Sequence, residues 1–178
     1  MTAATMTASA IDGTVIFSDL VGFTEFNGAR GDVAAVEVLD RHRALMDEAL
    51  AEARDGRVVK ELGDGLLVWS PSAAAGMRVA TGFLDGVLDA RSTGEFPLAV
   101  RIGVHHGTMH RRGDDIVGQT VNIAARIVNL AGPGEILLSD AVLDGSGHLG
   151  PFAVEPIGPT SVKGVAEAVW LYRIGCSG

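Results

Sequence analysis

The chain has 178 residues, 47% of them apolar, and a net charge of −8 at neutral pH. That length and apolar content suffice for one domain with a substantial core. The acidic balance excludes a general nucleic-acid binder, which needs a basic stripe, but not a phosphate ligand whose charge a metal ion offsets.

The opening residues, MTAATMTASA, have neither a basic start nor an apolar stretch. They are expected to be a disordered tail over 1–10 rather than a secretory signal. A single domain is expected over 11–174, with a short tail at 175–178. The lone cysteine, Cys176, allows no disulfide framework within the chain, which points to a reducing, cytoplasmic location. No apolar run reaches the ~18 residues of a membrane span.

Residues 11–19 read as a buried strand ending in Ser18-Asp19. Residues 32–54 have helical periodicity, with Val36, Leu39, Met46 and Leu50 near one face. RVVKEL and GLLVWS flank Gly63-Asp64-Gly65 and predict a β-hairpin. Pro71 is expected in the first turn of a helix running to about Ala90. Residues 98–107 alternate like a strand, and 119–131 predict a helix with Thr120 as its N-cap, stopped by Pro133-Gly134. Short strands near 136–138, 152–156 and 167–174 complete the chain. Trp69, Trp170 and Tyr172 are expected to serve packing. Adjacent His105 and His106 should point to opposite faces of a strand and so cannot readily chelate together.

The order strand, helix, strand, strand, helix, strand predicts an α+β fold. Its core is ferredoxin-like βαββαβ, a palm-like antiparallel sheet with helices on one face and extra C-terminal strands. In that topology the first and third strands are antiparallel neighbours. The end of the first, at Asp19, then lies beside the start of the third, at Asp64. Either aspartate alone is ordinary turn chemistry. Two carboxylates that meet repel unless a proton or a cation joins them. Oxygen ligands in this small number suit Mg²⁺ or Mn²⁺, with water and substrate phosphates completing the shell. The turn after Asp19, LVGFT, should aim backbone N–H groups of Gly22, Phe23 and Thr24 at a phosphate. On the helix after residue 118, Asn122 and Arg126 are four apart and share a face. Arg126 suits a phosphate that gains charge, and Asn122 suits a sugar oxygen or the nucleophile, although this stretch alone reads equally as a surface pair with solvated heads.

The stretches FSDLVGFT, KELGDG, DIVGQTVNIAAR and the late VKGV, in this order, resemble the catalytic domain of class III nucleotidyl cyclases. The resemblance covers about Gly13 to Arg173. It implies that Asp19 and Asp64, with the Leu20 carbonyl, hold two divalent ions, Mg²⁺ or Mn²⁺. It assigns Lys60 and Asp115 to reading the base, Asn122 and Arg126 to the transition state, and Lys163 to the triphosphate. Twelve arginines against two lysines make it notable that both lysines fall on such positions. The resemblance further implies a head-to-tail homodimer with sites shared between chains. Lys60 as a donor and Asp115 as an acceptor complement N1 and the 6-amino group of adenine, whereas guanine reverses both. The expected activity is therefore an adenylate cyclase making 3′,5′-cyclic AMP and pyrophosphate from ATP, as a stand-alone unit or a fragment of a longer protein. The other readings are a guanylate cyclase, which Lys60 and Asp115 disfavour, and a non-catalytic nucleotide-binding regulatory or dimerisation domain. The chain departs from the better-known pattern at 107–115, which is shorter than the arm many members use to grip their partner. Val117 also stands where an aromatic residue is common.

Overall fold

The computed structural model describes residues 9–146 and 153–174. The elements in chain order are β1 (Ser9–Leu20), α1 (Phe23–Arg30), α2 (Asp32–Ala53), β2 (Arg57–Leu62), β3 (Gly65–Ser70), α3 (Ala73–Ser92), β4 (Val100–Arg112), β5 (Asp115–Val117), α4 (Gln119–Leu130), β6 (Ile136–Ser139), α5 (Asp140–Ser146), β7 (Val154–Thr160) and β8 (Val169–Ile174). Ser9 and Ala10, assigned to a tail from sequence, open β1. Residues 1–8 and 175–178, with Cys176, lie outside the described residues.

The eight strands form one sheet in the order β2-β3-β1-β4-β6-β8-β7, with β5 paired to β4. Its β2-β3-β1-β4 half is the expected ferredoxin-like arrangement, in which β1 runs antiparallel to both β3 and β4. Strand alternation divides the apolar residues between two faces. Ile16, Leu20, Val68, Ile102 and Val104 pack with Met46, Phe83 and Val87 of the crossover helices α2 and α3. Val15, Phe17, Leu67 and Met109 turn the other way and pack with Ala124 and Val128 of α4. Helices on one face therefore describes the two crossovers but not α4, which covers part of the opposite face. Gly103 makes that possible: a Cβ there would lie 2.3 Å from the backbone nitrogen of Val128.

Several local expectations shift. The buried stripe of α2 is Ala35, Val38, His42, Leu45, Met46 and Ala49. Val36, expected inside, is 54% exposed. Two small alanines and a histidine stand on the inner face, and a large apolar residue stands outside, so side-chain hydrophobicity misaligned the stripe. Pro71 precedes α3 instead of opening it; Ser72 is the N-cap, its Oγ accepting from the Ala75 N–H at 3.2 Å. Gly118, with φ 137°, caps α4, and the Thr120 hydroxyl donates instead to the Thr108 carbonyl at 2.6 Å. The strand expected over 98–107 begins at Val100 and continues to Arg112, where it turns back into β5. Trp170 is 47% exposed rather than packed. No helix among the described residues is long and apolar enough to cross a membrane.

Candidate active site

Asp19 is the penultimate residue of β1, opposite Gly65 on β3 and Arg101 on β4. By alternation with Val15 and Phe17 it projects from the α4 face. Asp64 sits in the turn between β2 and β3, beside Gly63 with φ 64°. The two carboxylates meet. Burial pushes the Asp64 carboxyl up from its ordinary value, and the nearby charge of Asp19 pushes the same way, partly offset by a backbone hydrogen bond and by Arg101.

Arg101 was not foreseen. Its Nε and Nη2 donate to Asp19 Oδ2 at 2.9 and 2.5 Å. The side chains of Arg101 and Asp19 are only 30% and 23% exposed, so this charge-assisted pair lies partly out of water. The sequence held one signal for it: a lone arginine within the apolar run LAVRIGV, where a charge is seldom left unpaired.

Donor chemistry supports a divalent ion at this pair. Both side chains offer hard oxygens, and Asp64 is raised first by burial and then by the neighbouring charge of Asp19, a setting in which a cation would favour the ionised pair. Among the described residues no group of three or more His, Cys, Asp or Glu gathers, so an ion here would draw on this pair alone for carboxylate oxygens. Mg²⁺ is commonly held by one or two carboxylates plus water and phosphate oxygens. Directly after the strand, Gly22 takes a left-handed φ of 77° and α1 begins, its first N–H groups on Phe23 and Thr24.

The second group forms around β2. Lys60 Nζ donates to Asp115 Oδ2 at 2.7 Å, joining residues 55 apart in sequence. Lys60 lies opposite Leu67, a residue packed toward α4, so it projects from the same sheet face as Asp19. The bond from Lys60, aided by the Ile116 N–H, holds the Asp115 carboxyl below its usual range. The next residue, Glu61, turns the other way and accepts from Arg43 of α2 at 2.9 Å.

The remaining expected residues join neither of these two pairs. Asn122 and Arg126 are exposed on α4, and Lys163 is exposed in the turn between β7 and β8. None of the three makes a side-chain hydrogen bond or ion pair to another described residue, so their donors are available. Leu20 is buried, 3% exposed, with its side chain in the core behind the site. His105 and His106 do part to opposite faces: Nδ1 of His105 lies 2.7 Å from Ser139 Oγ, and Nδ1 of His106 lies 2.9 Å from Thr14 Oγ1.

This convergence of paired carboxylates with a lysine–aspartate pair on one sheet face is accompanied by a family match. The model described as adenylate and guanylate cyclase catalytic domain matches residues 7–174. The chain belongs to this family. It is 30% identical to a pH-sensitive adenylate cyclase of Mycobacterium tuberculosis, over 90% of this chain and 40% of that protein. An adenylate/guanylate cyclase/hydrolase structure from Silicibacter pomeroyi is 25% identical, with a TM-score of 0.81 over 96% of this chain and 100% of the other. The adenylyl cyclase CyaB from P. aeruginosa has the same fold, with 23% identity and a TM-score of 0.78 over 97% of each chain. This cyclase domain spans between 19% and 42% of the length of the curated relatives it matches.

Proposed function

We propose that this cyclase domain is an adenylate cyclase, converting ATP to 3′,5′-cyclic AMP and pyrophosphate at sites shared across a head-to-tail homodimer. The observation that carries ATP over GTP is the Lys60–Asp115 ion pair at 2.7 Å. An ammonium and a carboxylate held side by side offer one donor and one acceptor, the complement of N1 and the 6-amino group of adenine. Both side chains are about 40% exposed, so they can exchange their mutual bond for the base. Guanine would face each with its own kind, and each such mismatch costs about 1–3 kcal/mol.

Asp19, Asp64 and the Leu20 carbonyl are the groups that would hold two divalent ions, Mg²⁺ or Mn²⁺, and such ions lower the pKa of the ribose 3′-hydroxyl and offset triphosphate charge. The N–H groups of Gly22, Phe23 and Thr24 face the phosphates at the positive end of α1. Arg126 meets the charge that grows on the α-phosphate, Asn122 orients the ribose, and Lys163 binds the departing pyrophosphate. The 3′-oxygen attacks phosphorus in line as pyrophosphate leaves. Sharing between chains is supported by Asn122, Arg126 and Lys163 being exposed and without partners among the described residues.

The test is an assay of the purified chain with ATP or GTP and Mn²⁺ or Mg²⁺ over a range of protein concentrations. Cyclic AMP is the expected product, with specific activity rising as the dimer forms. A preference for GTP would establish the guanylate reading. No product from either nucleotide with either ion would leave a nucleotide-binding regulatory domain.

A further inference from the structure

Two buried polar side chains have no part in the site described so far. His42, midway along α2, is 1% exposed, and its ring lies 5.6 Å from that of Phe83 and 6.4 Å, nearly parallel, from that of Phe96. Its Nε2 is 3.1 Å from Oγ of Ser18, which is also 1% exposed. Around this pair α2 contributes Val38, Leu45 and Met46 to the larger apolar core. Apolar packing is non-directional. A buried hydrogen bond is directional, and losing one partner strands the other.

Ser18 immediately precedes Asp19. Alternation turns Ser18 toward α2 and Asp19 toward the α4 face, so one stretch of backbone carries both. We propose that His42 is a positioning residue for the carboxylate site: its bond to Ser18 fixes the rotation of the end of β1 about its own axis, and with it the direction of Asp19. The proposal rests on the reading of Asp19 as a metal ligand.

Three features make this the place where such a brace acts. The β3 ladder stops at Asp19 and Gly65, leaving β1 paired beyond it on the β4 side alone, through Leu20, before the left-handed Gly22. On the β3 side the partner of Asp19 is Gly65, which has no side chain to restrain it. The strands also approach closely there: a Cβ on Gly65 would lie 3.0 Å from the Ser18 carbonyl oxygen, so a small rotation of that peptide is felt across the pair. Arg101 bonds the carboxylate itself, not the backbone that aims it. His42 is held in turn by the rings beside it.

The test compares the parent chain with His42→Phe, Ser18→Ala, the double variant and His42→Gln. Phenylalanine keeps a ring beside Phe83 and Phe96 and deletes the bond; glutamine keeps a group that can donate to or accept from Ser18. Mn²⁺ binding is measured by calorimetry with 3′-deoxy-ATP, which cannot cyclise, alongside kcat, KM for ATP and thermal melting. His42→Phe and Ser18→Ala are each expected to weaken Mn²⁺ binding about five- to tenfold and to lower kcat, with KM for ATP changed less than about twofold. The double variant is expected to be no worse than either single one, and His42→Gln to recover part of the loss. Should His42→Phe fail to fold, Ser18→Ala decides alone. Folded variants that bind Mn²⁺ and turn over like the parent overturn the proposal, as do losses that simply add in the double variant. A parent chain that binds no Mn²⁺ in the presence of the analogue would overturn the metal reading itself, a result distinct from unaffected variants.

Discussion

At the scale of single residues, the site is a problem of charge held in partial shelter from water. Asp19 and Asp64 would repel, and in the chain alone Arg101 supplies the compensating charge. Replacing Asp64 with alanine removes a proposed metal ligand from a turn while leaving the core intact. Turnover is expected to be lost, with the melting temperature changed by no more than a few degrees; retained activity would remove Asp64 from the metal site. Lys60 and Asp115 belong to the same scale. Changing them together to residues of reversed hydrogen-bonding sense is expected to lower the ratio of kcat/KM for ATP over GTP by about tenfold or more. An unchanged ratio would mean that the base is read elsewhere. Both aspartates and Lys60 were legible in the sequence because each sits in a short patterned stretch. Arg101 was not, because an arginine in a strand says nothing of which carboxylate lies on the neighbouring strand.

At the scale of elements, the site depends on how closely helices approach the sheet. Gly103 lets α4, which carries Asn122 and Arg126, rest directly on β4. Gly103→Val is expected to push that helix away and destabilise the chain by about 1–3 kcal/mol, with a loss of kcat larger than the change in KM for ATP. A melting temperature and kcat both unchanged would show that α4 has slack at this contact. Helix α4 was predicted within a residue at each end, yet its face of the sheet was not. Periodicity marks which side of a helix is apolar and is silent about which side of the sheet receives it. Helix α1 went unread because FTEFNGAR offers only Phe23 and Phe26, half-buried against the core, a pair too short to establish a helical period.

At the scale of the whole molecule, stability is tied to pH through two sheltered histidines. Burial lowers His42 and His105 from 6.5 to about 4. Both are neutral in the folded chain over the range where the unfolded chain protonates them. Stability is therefore full above pH 6.5, declines as pH falls and the unfolded state takes up protons, and stops declining on this account below about pH 4. For His42, which is 1% exposed, the effect is about 3 kcal/mol across that window. Urea unfolding from pH 7 down to 4.5 is expected to show this slope, and His42→Phe should flatten it; an equal slope in both would mean that His42 titrates alike folded and unfolded.

The sequence by itself determined the candidate residues, most of the strands and helices that carry them, though not α1 or β5, and the neighbouring ends of β1 and β3. Those features are local, or follow from the order of elements, and hydrophobic period and turn residues encode them directly. Only the tertiary structure decided that Arg101 reaches Asp19 across 82 residues, that Lys60 and Asp115 pair, that α4 lies opposite α2 and α3, and that His42 holds Ser18. A period of two or 3.6 states which way a side chain faces. What it meets there is set by the packing of segments distant in the chain, which no local pattern contains.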